Sequence, residues 1–186
     1  GENMSKNENL CKAILDVRFR YLNIWEPVSI NGSGLRYSVG CLINKEDKVA
    51  VKRMEKALEA AKEIYISKYG AIDENTFKNP IKDGDMKENA DDSFKNSFFL
   101  NANCKYNAPE VVNAKVEKIT DKSMLTVGDY GKVSMTFYPY NASDGQGVAV
   151  LLGNIQFLRK GVPIYDKVSA IDEFEVVKDV EENFLD

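Results

Sequence analysis

Aromatic side chains stand beside cationic ones at several points along the sequence. Single-stranded nucleic acid is bound by this combination, because cations follow the phosphates and aromatic rings stack on unpaired bases. Stacking contributes about 1–3 kcal/mol per base and tolerates any base, so the binding does not depend on base sequence. The pairs are Arg18-Phe19, Arg20-Tyr21, Arg36-Tyr37 and Lys105-Tyr106, and the run Phe137-Tyr138-Pro139-Tyr140 adds three rings.

Rings that could face a ligand must be separated from rings of the core, since β-strands are rich in Tyr and Phe in any case. Side chains alternate between the two faces of a strand, so each ring is judged by the residues that share its face. The rings that lie with aliphatic residues are predicted to be core, namely Phe19, Phe98 and Phe137. Those on the opposite faces are the stacking candidates, namely Phe99, Tyr138 and Tyr140. Trp25, at a strand end before Pro27, is predicted to be core.

The composition argues against catalysis. The chain contains no histidine, which removes the usual general base and the commonest metal ligand. Asp83-Gly84-Asp85 resembles part of a calcium loop but lacks further acidic ligands at the required spacing, so it is interpreted as a turn. No phosphate-binding loop, dinucleotide fingerprint or nucleophile elbow is present. We therefore expect no catalytic residue, no metal and no cofactor.

A carboxylate-based enzyme remains as a distant alternative. It would need four acids to converge in one pocket, namely Asp83, Asp85, Asp121 and Asp129, and the last two flank turns with no evident partner. The three cysteines are far apart and odd in number. They indicate neither a disulfide framework nor a zinc site, so buried or half-buried thiols are expected.

Charge is distributed unevenly along the 186 residues, a length that suits one domain. Residues 172–186 hold seven acids and one lysine, and so carry −6. Since the whole chain carries −4, the preceding residues carry +2. A mildly basic body with an acidic tail is compatible with a nucleic-acid partner, because the distribution of charge matters more than its sum.

The acidic tail has two interpretations. It is either a solubilising tail or final helix, or an intramolecular DNA mimic that competes for the basic surface and offers a docking handle to partner proteins. Two phenylalanines among the acids favour docking of phage or host replication and recombination proteins. The residues expected in this role are Phe174, Glu181, Glu182 and Phe184.

Most of the elements that would position these residues are strands. In the first, Ala13 to Tyr21 alternate, with Tyr21 on the same face as Phe19. Helical spacing of Val51, Met54 and Tyr65, with an N-cap at Asp47 and Gly70 after the end, predicts one long helix. Strands are predicted at residues 10–25, 35–44, 96–105, 111–119, 131–140 and 147–158, and the helix at 47–69.

The connections are predicted from polar residues, glycine and proline. Residues 71–94 are interpreted as a long mobile connection. Residues 141–147, with Asp144-Gly145, are predicted to join two strands as a hairpin, and Lys160-Gly161 is predicted to be another tight turn.

Five or six antiparallel strands with one helix fit a small Greek-key barrel, and an OB-fold is the favoured architecture, with a sandwich left open. The expected organisation is a flexible N-terminus at 1–9, one OB-fold domain at 10–171 and the tail at 172–186. No apolar run has the length of a membrane span and no signal-peptide core is present, so a cytoplasmic protein without membrane contact is expected.

The order of motifs resembles a phage single-stranded DNA-binding family that was long catalogued as a domain of unknown function. The matching segments are Tyr37-Ser38, residues 42–45 (LINK), residues 80–85 (PIKDGD), residues 109–112 (PEVV), residues 130–132 (YGK), residues 138–141 (YPYN), residues 147–149 (GVA), residues 153–156 (GNIQ), residues 159–161 (RKG) and the region of Phe174. Asn44 stands where the family pattern has proline. The resemblance implies an OB-fold, sequence-independent binding of single strands, a role in phage replication or recombination, and an acidic C-terminal tail.

We therefore expect stoichiometric binding of a single strand on one barrel face, in the cytoplasm of a host cell or of a bacterium carrying a prophage. A protein-interaction or structural phage protein is the alternative, and a homodimer and a preference for RNA over DNA stay open. The face is predicted to hold Arg18, Arg20, Phe99, Asn101, Lys105, Tyr138 and Tyr140, with Tyr37 and Tyr106 as aromatic neighbours and Arg36, Lys82, Lys132, Arg159 and Lys160 at loops and rims.

Overall fold

Eight strands and one long helix make up the regular structure of the described residues. The computed structural model describes residues 9–29, 32, 34–165 and 170–178. In chain order the elements are β1 (Lys12–Ser29), β2 (Leu35–Asn44), α1 (Lys48–Tyr69), β3 (Phe77–Lys78), β4 (Lys82–Asp83), β5 (Ser97–Cys104), β6 (Val111–Val112), β7 (Tyr130–Ala142), β8 (Gly145–Arg159) and the four-residue helix α2 (Ala170–Glu173).

Five strands close into a barrel. β1 pairs antiparallel with β2 and with β7, β2 pairs with β5, and β7 pairs with β8. A parallel contact between Asn103 of β5 and Leu151 of β8 completes the ring. β2 and β5, the second and third barrel strands in chain order, are therefore neighbours, as in an OB-fold. In OB-folds the face formed by these two strands binds oligonucleotides. The predicted mainly-β Greek-key barrel is confirmed, with this one closing contact parallel.

Alternation along the strands fills the barrel. Leu15 and Phe19 of β1 and Val39 of β2 have no exposed surface, and Phe137 is 1% exposed. All three cysteines are buried thiols of this core, as the sequence predicts. Trp25 and Phe98 are half-buried and pack against the same cluster, which confirms that both belong to the core.

A β-bulge in β1 reverses one predicted orientation. The pairing of β1 with β2 shifts between Phe19 and Tyr21. Because an extra residue moves every following side chain to the other face, Tyr21 leaves the core side and lies opposite Gly40 on the outer surface. The sequence prediction that Tyr21 shares the face of Phe19 is therefore wrong.

The long helix has the predicted bounds and caps. The Asp47 carboxylate accepts a hydrogen bond from the Ala50 amide at 3.1 Å, which satisfies one of the free donors at the start of α1. Gly70 follows the helix with a φ of 97°, a conformation that favours glycine. The buried stripe of α1, with Met54, Leu58 and Ala61, belongs to the same cluster as the barrel core.

The connection at 71–94 is structured, contrary to the prediction of a mobile loop. It contains β3, which pairs with β8, and β4, which pairs with β5. Two short 3₁₀ turns follow, at Gly84–Met86 and Asp92–Phe94. Long-range contacts supply the order that local sequence does not encode, and this segment forms a wall on the outside of the barrel.

Three smaller predictions need correction. The predicted strand at 111–119 is limited to β6, with one isolated pairing between Val112 and Lys118. The 141–147 hairpin is real but tighter, because strand pairing continues to Ala142 and Gly145. Residues 160–165 make no turn, and instead run along the loop before β7, where the Ile164 amide donates to the Val127 carbonyl at 3.2 Å.

None of the helices in the described part of the chain is long and apolar enough to span a membrane.

Candidate nucleic-acid interface

The outer face of β2 and β5 presents polar groups where the inner face presents aliphatic ones. Along β5, Leu100 and Ala102 are buried, whereas Asn101 is exposed and Asn103 is half-exposed. Phe99 lies on the same outer side as these asparagines. The predicted alternation of β5 is therefore confirmed, and it places one ring and two amides on the surface.

Side-chain hydrogen bonds hold this outer face in register across three strands. The Tyr21 hydroxyl donates to Asn101 Oδ1 at 2.6 Å. The Arg36 guanidinium donates to Asn103 Oδ1 at 3.1 Å. Next to them, Asn23 Nδ2 donates to Ser38 Oγ at 3.1 Å. We call this set, with Gly40, the polar face.

The Tyr21 hydroxyl keeps its proton at any physiological pH. Burial, and to a smaller extent the neighbouring Cys41 thiol, raises the pKa of Tyr21 above its usual value. The hydroxyl therefore remains a hydrogen-bond donor to Asn101, and the ring is held in one position.

A groove opens where β5 meets β8. This β5 groove has a volume of about 250 Å³, and its lining includes Lys78, Lys82, Phe99, Asn101 and Tyr140. A second hollow of about 330 Å³ shares Lys82 and Phe99 with it and adds Met86 and Lys87. Lys78, Lys82 and Lys87 are exposed and form no ion pair within the described residues, so their charges are available to an anionic ligand.

Aromatic and cationic groups continue from the groove towards β1. The Phe94 and Phe99 rings meet edge to face at 5.2 Å between centroids. Arg20 lies 5.3 Å above the Phe94 ring and is bound to Asp91 at 2.7 Å. Burial opposes ionisation of Asp91, but hydrogen bonds from Ser93 and the Arg20 charge outweigh it and lower the pKa of the carboxyl.

A double ion pair holds residues 82–86 in place beside the groove. Lys45 Nζ lies 2.6 Å from Asp83 Oδ1 and 2.6 Å from Asp85 Oδ2. The Asn96 amide also donates to Asp85 Oδ1 at 2.9 Å. The Lys45 hydrogen bond, followed by the one from Asn96, lowers the pKa of Asp85, and both carboxylates raise the pKa of Lys45. The segment after Lys82 is thereby tied to the end of β2.

Two of the predicted cations, Arg18 and Arg159, lie elsewhere, beside Tyr130. Arg159 lies 4.2 Å and Arg18 5.6 Å from the centre of its ring. Arg18 also donates to the Gly128 and Val162 carbonyls at 3.0 and 2.6 Å. These residues line a polar cleft of about 520 Å³. Since its walls also carry three acids, namely Asp16, Asp47 and Asp92, its charge is mixed.

Lys160 has a structural partner. Asp129, which is 1% exposed, accepts hydrogen bonds from Lys160 Nζ at 3.0 Å and from the amides of Thr126 and Gly161 at 2.9 and 3.1 Å. Burial would raise the pKa of Asp129, but these hydrogen bonds outweigh it and lower the pKa. The prediction that Asp129 has no partner is therefore wrong, and Lys160 is held away from the β5 groove.

The remaining predicted residues are dispersed. Tyr37 points to the core side of β2 and packs against the core. Tyr138 is 38% exposed and lines a cavity beside the C-terminal turn of α1. Lys132 lies 3.6 Å from Asp16. Lys105 and the 86% exposed Tyr106 extend beyond the end of β5.

The structure therefore gathers five of the predicted residues around the polar face and the groove, namely Arg20, Arg36, Lys82, Phe99 and Asn101, with Tyr140 also in the lining of the groove. Sequence reasoning missed Tyr21, Asn23, Lys78 and Lys87. The bulge reverses the orientation that alternation predicts for Tyr21, so this residue was not identified. The cluster of lysines around Pro80 was the signal that could have identified Lys78 and Lys87.

The acids do not form a catalytic or metal centre. Asp83 and Asp85 share Lys45, whereas Asp121 caps a short turn by accepting from the Ser123 amide at 2.9 Å and Asp129 is bound to Lys160. Among the described residues, no group of three potential ligands could hold a metal ion. Of the predicted tail contacts, Phe174 is 71% exposed, and Glu181, Glu182 and Phe184 lie outside the described residues.

Comparisons with known proteins identify the family of the chain. A model of the Enterobacter phage Enc34 ssDNA-binding protein family matches residues 11–185. A search of curated proteins finds no match.

Solved structures share the fold at low sequence identity. The single-stranded DNA-binding protein of bacteriophage Enc34 in complex with ssDNA is 18% identical, with 83% of this chain and 88% of that chain covered and a TM-score of 0.70. A second structure of the single-stranded DNA-binding protein of bacteriophage Enc34 is 17% identical, with 88% of this chain and 89% of that chain covered and a TM-score of 0.69. The single-stranded DNA-binding protein gp2.5 of bacteriophage T7 is 20% identical, with 88% and 92% covered and a TM-score of 0.51.

Proposed function

Because the chain belongs to the family of the Enterobacter phage Enc34 ssDNA-binding protein, we propose that it binds single-stranded DNA stoichiometrically and supports phage DNA replication and recombination. Binding is its whole function, and no bond is made or broken. The proposed place of action is the cytoplasm of the host, or of a bacterium that carries the phage genome.

The observation that carries this proposal is the composition of the outer side of β5 and its neighbours. A ring at Phe99, an exposed amide at Asn101 and the exposed lysines Lys78 and Lys82 meet in one groove. Phosphates of a single strand would follow the lysines, while bases would lie on the ring and the amides. The face of the second and third barrel strands is also where OB-folds bind oligonucleotides.

The β5 groove is a better candidate than the larger polar cleft. In the cleft, Arg18 is bound to backbone carbonyls, and three acids share the lining with Arg18, Arg159 and Lys95. A phosphate entering the cleft would meet repulsion as well as attraction, whereas no acid of the described residues lines the β5 groove.

The acidic tail is proposed to compete with DNA for the groove and to bind phage or host proteins of replication and recombination. Exposed apolar side chains among acids support the docking role, with Phe174 at 71%, Val176 at 90% and Val177 at 73%. Such a segment gains from burial against a partner.

Fluorescence anisotropy with labelled oligo-dT and with a duplex of equal length tests the proposal. Binding should be tighter to the single strand. The logarithm of the affinity should fall with the logarithm of salt concentration by about 0.7 for each phosphate neutralised. A truncation ending at Ile171 should bind more tightly at low salt, because it lacks all seven acids of the tail.

Each outcome separates the parts of the proposal. Single-strand binding that truncation leaves unchanged would retain the function and overturn the competing tail. Absence of binding by both forms at low salt would overturn the function and favour the protein-interaction alternative.

A further inference from the structure

Gly40 permits an unusual contact on the polar face. A Cβ atom at this position would lie 2.4 Å from Cδ1 and 2.5 Å from Cε1 of Tyr21. Such distances are too short for any side chain, so only glycine allows the Tyr21 ring to pack against the backbone of β2. The ring thus crosses β2 and reaches Asn101 on β5.

The position of the ring depends on three features far apart in sequence. The bulge after Phe19 turns Tyr21 outward, Gly40 makes room for it, and Asn101 accepts a hydrogen bond from its hydroxyl at 2.6 Å. A half-buried aromatic side chain without these contacts would sample several rotamers, and ordering it on binding would reduce affinity. Here that ordering is already present in the free protein.

The amides beside the ring retain hydrogen-bonding capacity. Asn101 and Asn103 each accept through Oδ1, from Tyr21 and from Arg36. Within the described part of the chain, neither Nδ2 group donates a hydrogen bond. Both can therefore donate to the carbonyl oxygens or ring nitrogens of a base that lies against Tyr21.

We propose that Tyr21 is the stacking platform for one unpaired base, with Asn101 and Asn103 as donors to the edge of that base. This inference rests on the proposed function, and it names a subsite within the single-strand interface. Every base has a π-face and an acceptor on its edge, so the subsite accepts any base.

The test compares full-length variants by anisotropy with oligo-dT. Tyr21→Ala should weaken binding by about 5- to 150-fold, the range that one stacked base contributes. Tyr21→Phe keeps the ring and should stay within about threefold of wild type, since it removes only one neutral hydrogen bond. Tyr69→Ala is the matched control, because Tyr69 is a 48% exposed ring on α1, away from the polar face.

A second oligonucleotide separates loss of stacking from loss of folding. An abasic strand of equal length should bind wild type more weakly than oligo-dT does, and Tyr21→Ala should lose less on the same change. Thermal melting checks that each variant is folded. If Tyr21→Ala does not fold, photocrosslinking of wild type to 5-iodouracil DNA replaces it, and the adduct should map to Tyr21.

The outcomes distinguish this subsite from the function itself. Failure of wild type to bind oligo-dT contradicts the proposed function. Wild-type binding together with unchanged affinity of a folded Tyr21→Ala, or a crosslink confined to other residues, overturns the subsite and leaves the function standing. An equal loss for Tyr69→Ala also overturns it.

Discussion

Single side chains in this protein owe their roles to partners that are distant in sequence. Asp129 is an example, because its buried carboxylate collects the Lys160 ammonium and two backbone amides. This network fastens the segment after β8 to the loop before β7. A carboxylate buried in this way is stable only while its hydrogen bonds are made.

Replacing Asp129 with Asn should therefore destabilise the protein by about 1–3 kcal/mol at neutral pH, since a charged acceptor of several hydrogen bonds is removed. Thermal or urea unfolding measures the difference. Asp121→Asn is the matched control, because Asp121 is exposed and only caps a short turn.

The stability difference should also depend on pH. The pKa of Asp129 is lowered in the folded state, so its contribution is fully present above the unfolded pKa of about 3.9 and is lost as pH falls through the folded value. Wild type and Asp129→Asn should thus converge in acid. A difference that is the same at about pH 7 and about pH 3 would contradict this assignment.

At the scale of elements, local pattern determined most of what the sequence could predict. The caps and stripe of α1 and the alternation of β5 could be predicted because each depends on neighbouring residues. The bulge before Tyr21 could not be predicted from local sequence, because it arises from the pairing of β1 with β2 at Gly40. The position of residues 82–86 could not be predicted either, since it depends on contacts with Lys45 and Asn96, which are distant in sequence or outside that segment.

The Lys45 ion pairs should hold residues 82–86 in position while contributing little to the global stability of the fold. In Lys45→Met, amide hydrogen exchange should accelerate at Asp85 and Asn96, and oligo-dT affinity should fall because Lys82 and Phe99 lose their fixed positions. The melting temperature should stay near that of wild type, since exposed pairs contribute little to global stability.

Lys122→Met is the control for this variant, because it removes an exposed ion pair with Glu26 on another surface. Unchanged exchange at Asp85 in Lys45→Met would show that residues 82–86 are held by other contacts.

At the scale of the whole molecule, the barrel brings residues of β1, β2 and β5 together on the polar face. The sequence indicated the fold, the family resemblance and a basic, aromatic surface, and the fold and family are confirmed. Only some of the residues of the candidate site could be predicted from the sequence. Alternation identified Phe99 and Asn101, but it could not separate the groove from the cluster around Tyr130, because closure of the barrel decides which surfaces adjoin.

The central claim is that single-stranded DNA follows the lysines of the β5 groove. The most direct measurement is the oligo-dT affinity, across a salt series, of the double variant Lys78→Glu/Lys82→Glu against Lys52→Glu/Lys56→Glu. The second pair makes the same charge change on exposed positions of α1, so both variants have the same net charge.

The account predicts that the groove variant binds about tenfold or more weakly than wild type and that its salt dependence becomes shallower by about 0.7 for each phosphate that the variant no longer neutralises. The helix variant should stay close to wild type. Equal losses of affinity in the two variants would show that net charge alone governs binding. Unchanged affinity of the groove variant would place the DNA on another surface.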